Sequence, residues 1–133
     1  HYAPYTGPET KEVTKLHMDG ESFENGEYKA GDSYAPEDLE RVKAAAKAFL
    51  YLLRRNNPEA YIIWAYGMLG DALAGVLGEV IEKYREESGD THVEYLPLPA
   101  TTPETTGARF HPGAAAHRAA AEVIVRRIKE LGL

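Results

Sequence analysis

The sequence predicts an α/β layered fold in which helices pack on a parallel sheet. Three observations carry that prediction. From residue 36 onward, helical and strand patterns alternate as helix, strand, helix, strand, helix. The run Ala60-Tyr61-Ile62-Ile63-Trp64-Ala65-Tyr66 is short and nearly all apolar or aromatic, as a strand covered on both faces must be. Each strand pattern then runs through a loop into a helix, the arrangement of parallel strands joined by helical crossovers.

The first helix starts at Pro36-Glu37-Asp38, where proline suits the first turn and acids suit the helix dipole. Leu39, Val42, Ala46, Phe49, Leu50 and Leu53 recur at three- and four-residue spacing, and Asn56-Asn57-Pro58 stops the pattern. The apolar strand follows, then a loop from Gly67 to Gly70. Asp71 is the expected cap of a second helix, with Leu73, Val76, Leu77, Val80, Ile81 and Tyr84 on one face and an end near Ser88-Gly89. His92 to Leu98 reads as the second strand. Pro99 to Phe110 reads as loop, and Pro112 as the start of a last helix with Ala116, Ala120, Val123, Ile124, the Arg127 stem, Ile128 and Leu131 on its stripe. Ahead of all this, residues 1–35 read as irregular, because Pro4, Gly7, Pro8, Gly20, Gly26 and Gly31 interrupt every apolar group. The expected organisation is a loop-rich segment, 1–35, and an α/β domain, 36–133. Two strands are too few to cover three amphipathic helices, so further strands are expected outside this chain, with either a separate N-terminal chain or a homo-oligomer covering the sheet.

Bulk chemistry excludes several functions. The 133 residues suffice for one domain, with 44% hydrophobic and 27% charged residues. The net charge of −6 attracts neither phosphate backbones nor anionic lipid, so no nucleic-acid or membrane partner is expected. No apolar run approaches the ~20 residues that span a bilayer. With no cysteine there is no disulfide, zinc–thiolate site or cysteine nucleophile. No metal or other cofactor is expected: His117 is not at the i, i+4 spacing of a helical metal pair with His111, and His17 and His92 have no evident partners. The 83–87 run and Arg126-Arg127 read as solvated faces. The chain starts at His1 rather than Met, so it reads as a processed or truncated product.

Ligands of open parallel sheets bind beyond the carboxyl ends of the strands. Two loops lie there, and the second runs into His111. Proline at 112 keeps His111 extended and out of the helix, placing an imidazole at a helix N-terminus on the ligand-binding edge. The positive end of the helix dipole favours a neutral imidazole, the form a general base requires. The competing reading is a capping or packing histidine. Trp64, Tyr66 and Met68 are candidate pocket residues, with packing as the alternative for each and as the commoner role for Trp64.

The segment Gly107-Ala108-Arg109-Phe110-His111-Pro112-Gly113-Ala114-Ala115-Ala116-His117, followed by Ala119-Ala120-Ala121, resembles the last block of the SGNH/GDSL hydrolases. Three further stretches add to the likeness: Arg54-Arg55-Asn56-Asn57-Pro58-Glu59-Ala60, Ile62-Ile63-Trp64 with Tyr66-Gly67-Met68, and Gly89-Asp90 before Val93-Glu94-Tyr95. Together, over about residues 36–133, they resemble the C-terminal half of family-two carbohydrate esterases and related acetylesterases. That resemblance implies a flavodoxin-like three-layer α/β/α sandwich, of which this chain supplies only the C-terminal part. It implies a serine esterase, a carbohydrate acetylesterase or deacetylase, with His111 as the catalytic histidine and an acylated small molecule or polysaccharide as substrate. It also favours a secreted or cell-surface location.

The sequence departs from that pattern in three places. Ala108 stands where many members carry the Asp that orients the histidine, which leaves a backbone carbonyl of the 105–109 loop, or Glu104, for that role. No Gly-x-Asn-Asp oxyanion block is present. Gly31-Asp32-Ser33 spells the nucleophile block but lacks the hydrophobic strand that should precede it, so Ser33 reads as a turn residue more than as a nucleophile. Serine and oxyanion-hole Asn are thus expected outside this chain, which alone would be incomplete and inactive. The alternative is a non-catalytic carbohydrate-binding or interaction module on the same fold.

Overall fold

The computed structural model describes residues 33–133 throughout and, before them, the strand segments 18–19, 22–24 and 27–29. Contacts divide the chain into two compact units, His1–Ala44 and Ala45–Leu133, with the division inside the first helix. In the first unit, β1 (Met18–Asp19) pairs antiparallel with β4 (Ser33–Tyr34), and β2 (Ser22–Glu24) with β3 (Glu27–Lys29). The sequence reading gives this stretch no strands. Each is only two or three residues long, too short for alternation to register.

Helix α1 (Pro36–Asn56) begins where its proline and acidic first turn place it, with Arg54 and Arg55 in its last turn. The side-chain amides of Asn56 and Asn57 fold back to donate to the Leu52 and Leu53 carbonyls, the second of which also accepts from the Asn57 backbone amide. Strand β5 (Ile62–Tyr66) follows, then α2 (Ala74–Ser88), β6 (Val93–Pro97) and α3 (Ala114–Glu130). β5 and β6 pair in parallel, with Ile62 opposite Val93 and Tyr66 opposite Pro97.

Strand side chains alternate between faces, and that alternation sorts the layers. Ile62, Trp64, Tyr66, Val93 and Tyr95 share one face and pack with Ala46 and Leu50 of α1 and with Leu77, Val80, Ile81 and Tyr84 of α2. Leu50, Tyr84 and Val93 are fully buried there. Glu94 points to the other face, where Arg127 of α3 grips it with a fork of hydrogen bonds, Nε to Oε1 at 2.8 Å and Nη2 to Oε2 at 2.7 Å. α1 and α2 therefore cover one side of the sheet and α3 the other, giving three layers. Ala116 and Ala120 are the buried positions of α3, as its small-residue stripe predicts.

Several local expectations fail. Asp71 does not cap α2: Leu73 occupies the N-cap with no side-chain bond, and Asp71 contributes only its carbonyl to the Ala74 amide. Gly89 does end α2, with φ of 71°. Pro112 is not the first residue of α3; it pairs with Thr106 in an isolated bridge, and Gly113 is the N-cap. Arg127 is no solvated face, because it is committed to Glu94. Within the 83–87 run, Tyr84 is part of the core.

A second polar clamp lies just ahead of the amino ends of the strands. Arg54 binds both Asp90 oxygens, Nε at 2.7 Å and Nη2 at 3.2 Å. It also donates to the carbonyls of Asn57, Pro58, Ala60 and His92. Burial alone would raise the Asp90 pKa, but hydrogen bonds from Arg54, the His92 amide and Tyr84 hold it below the usual carboxylate range. A carboxyl lowered on folding stabilises fully above its unfolded value, and the gain is lost as pH falls through the folded value. Melting followed by circular dichroism should therefore fall steeply in temperature below about pH 4. Asp90→Asn should melt lower near neutrality and show a flatter acid limb.

Candidate functional site

The carboxyl ends of β5 and β6 are tied together by their loops. The Leu98 amide donates to the Tyr66 carbonyl at 2.8 Å, extending the ladder by one bond, and the Thr101 amide donates to the Met68 carbonyl at 3.0 Å. Gly67 permits this approach: its φ is +140°, and a Cβ there would lie 2.4 Å from the Leu98 carbonyl oxygen.

From Thr101 the chain makes a short 3₁₀ turn, Pro103–Thr105, closed by a reciprocal Thr102–Thr105 capping arrangement. The loop then folds back on itself. The Gly107 amide donates to the His111 carbonyl at 2.7 Å, and the Gly113 amide donates to the Thr105 carbonyl at 2.8 Å. Gly113 again has no space for a side chain, because a Cβ would sit 2.8 Å from the Thr105 oxygen. These bonds hold the ends of the 105–113 loop together just before α3.

At the tip, Arg109 and Phe110 both adopt positive φ, 54° and 61°. Each departure of this kind in a non-glycine residue costs about 1–2 kcal/mol. Strain of this sort persists where surrounding bonds enforce it. Here the back-folded bonds at 107 and 113 do so. The result presents His111 on extended backbone (φ −81°, ψ 161°), with its side chain exposed and its amide on the Ala108 carbonyl. Among the described residues, its imidazole has no hydrogen-bond partner. His111 precedes the α3 N-cap by two residues, so it stands beside the helix start rather than within it.

The other sequence-based candidates separate. Trp64 belongs to the core face, where Phe49 meets it edge-on with ring centroids 5.9 Å apart. Tyr66 packs against the same core and ends the strand, and Met68 lies in the loop tied to Thr101. Glu104 is exposed, and the Thr102 hydroxyl, with the Glu104 amide, holds its carboxyl below the usual range, so it serves its own turn. Ser33 is a β4 residue paired with Asp19, not a turn; its side chain lies outside the described residues, as do His17, Gly31 and Asp32. His92 stacks at 5.7 Å on Tyr61, and His117 is exposed on α3.

Sequence reasoning missed two features of this edge. The Thr101 hydroxyl is enclosed with no partner among the described residues. Tyr95, whose hydroxyl reaches the Tyr66 carbonyl at 3.5 Å, is pushed up in pKa by burial, with Tyr66 and Asp71 adding to the effect. The alternation of β6 places Tyr95 on the Tyr66 face, but nothing in the sequence distinguishes Thr101 from its neighbours. Among the described residues, no grouping of His, Asp and Glu could hold a metal ion, and no helix is long and apolar enough to cross a membrane.

No family model and no curated protein sequence matches the chain. Among solved structures it is similar to an acetyl xylan esterase from the rumen bacterium Butyrivibrio proteoclasticus, with 35% sequence identity and a TM-score of 0.77. The match covers 98% of this chain and 32% of that one, so the chain spans about a third of the esterase's length.

Proposed function

From a chain that carries part of the SGNH-hydrolase fold of a family-two carbohydrate esterase, we propose that the protein is a serine ester hydrolase acting on acetylated carbohydrate. The observation that carries this reading is the exposed, unpartnered His111, presented by a strained loop at the carboxyl edge of the sheet. The nucleophilic serine and the oxyanion-hole donors would come from the part of the fold outside this chain.

In that reading His111 accepts the serine hydroxyl proton as the oxygen attacks the ester carbonyl. The proton passes to the departing sugar oxygen as the acyl-enzyme forms. Water then attacks the acyl group, giving its proton to His111, and acetate leaves as the serine recovers a proton. Ala108 offers no carboxylate to the imidazole, so the unit proposed is a Ser–His dyad. Tyr66, at the end of β5, and Met68, in the loop tied to Thr101, are the proposed substrate contacts.

Hydrolysis of p-nitrophenyl acetate by the intact protein tests the reading. Glycan binding with no turnover would transfer it to a non-catalytic binding module on the same fold. The loop geometry gives a second test. Gly113→Ala pushes against the Thr105 carbonyl and displaces His111, so kcat should fall about ten- to a hundredfold while the protein still folds. An unchanged kcat in that variant would separate the loop from the chemistry.

A further inference from the structure

The strained tip of the 105–113 loop gains nothing from its own side chains. Arg109 and Phe110 stand consecutively at positive φ, and neither residue type suits that region. Packing does not offset the cost: Phe110 is 92% exposed, and Arg109 is exposed beside it. Strain that a fold keeps without local return points to what the strained residues meet. Arg109 differs in a second way from other arginines of the chain. Arg41, Arg54 and Arg127 each bind a carboxylate within the fold. Arg109 makes no hydrogen bond or ion pair among the described residues. The acid nearest to it in sequence, Glu104, is engaged by the Thr102 hydroxyl and its own amide.

Position gives that guanidinium a use. Arg109 precedes His111 by two residues, and with trans peptide bonds between them their Cα atoms lie at most about 7.6 Å apart. An ester bound at His111 therefore brings the sugar units beside it within reach of a long side chain. A guanidinium stays charged at every working pH and presents its donors in a planar fork that matches a carboxylate. The chain as a whole carries a charge of −6 and gives anions no general attraction, so recognition of an anionic group has to be local. In a carbohydrate, the planar anionic group that such a fork fits is the carboxylate of a uronic acid.

We propose that Arg109 is a specificity residue of the ester-hydrolase site and binds the carboxylate of a uronic acid carried by the acetylated carbohydrate. This rests on the hydrolase reading above. Two probes that differ in one group test it: an acetylated oligosaccharide with a glucuronic acid branch, and the same oligosaccharide with glucose in that place. The intact protein should deacetylate the acidic probe with a kcat/KM about three- to tenfold higher at low salt, as a well-matched ion pair open to solvent allows. The preference should shrink as ionic strength rises to ~0.5 M. Asn tolerates positive φ, so Arg109→Asn keeps the backbone of the tip, removes the charge and should bring the ratio of the two kcat/KM values to about one. Arg109→Lys should retain part of the preference. A ratio near one in the wild-type protein, or a preference that survives Arg109→Asn, overturns the proposal; turnover of p-nitrophenyl acetate in the same samples keeps the hydrolase reading standing. An equal loss on both probes in Arg109→Asn, with a lower melting temperature, also overturns it and assigns Arg109 to a carboxylate of the protein itself. If no ester is hydrolysed, calorimetric binding of the two probes takes the place of turnover. Tighter binding of the acidic probe, lost in Arg109→Asn, keeps the recognition and removes the enzyme; equal binding removes both.

Discussion

His111→Ala in the intact protein is expected to lower kcat/KM for p-nitrophenyl acetate by about 10²–10⁴-fold, the contribution of a positioned general base. Its effect on stability should be small. The side chain is exposed, and its backbone bonds to Gly107 and Ala108 do not involve the imidazole. A melting temperature within a degree or two of wild type, which is usual for exposed positions, then assigns the loss to chemistry. Turnover near the wild-type rate in this variant would end the hydrolase assignment of His111. An equal loss of activity and of melting temperature would make it a structural residue of the loop.

Arg54→Ala is expected to cause the largest loss of stability, about 3–4 kcal/mol, because it leaves a mostly buried carboxylate and four carbonyl contacts without their donor. For a chain of this size that lowers the melting temperature by roughly 10 °C. Arg54→Lys should recover little, since a single ammonium cannot bridge both Asp90 oxygens and the carbonyls at 57, 58, 60 and 92. A loss below about 1 kcal/mol in denaturant titration would mean that the clamp behaves as an ordinary surface ion pair. Tyr84 gives an internal check. Its hydroxyl also donates to Asp90, so Tyr84→Phe should weaken the clamp less than Arg54→Ala and should add to it less than independently.

The helices were legible because burial writes itself into their spacing. Leu50 of α1, Val80 and Ile81 of α2, and Ala116 and Ala120 of α3 fall on the stripes that their sequences display and are buried. β5 was legible from its apolar run. The two arginine clamps were not, because Arg54 with Asp90 and Arg127 with Glu94 join residues more than thirty apart in sequence. Local periodicity marks such side chains only as polar, and topology alone brings the partners together. Helix starts were misread for a related reason. Asp71 and Pro112 have the chemistry of a first turn, but the ties from Leu98 to Tyr66 and from Gly113 to Thr105 set where the chain leaves its loops. His111 itself was placed correctly at the end of a loop before α3. The paired positive φ values that present it have no sequence signature, since Arg and Phe both disfavour that region.

Pro97 has a consequence for handling the protein. A strand edge with exposed backbone groups is a template for intermolecular pairing and aggregation. The proline removes one donor from the outward side of β6, so that side is a poor seed. Self-association of residues 1–133 is therefore expected to start from β5, where Ile63 and Ala65 turn their amides away from β6. A charge introduced on β5 at that edge would then improve solubility, whereas charges added along β6 would do little.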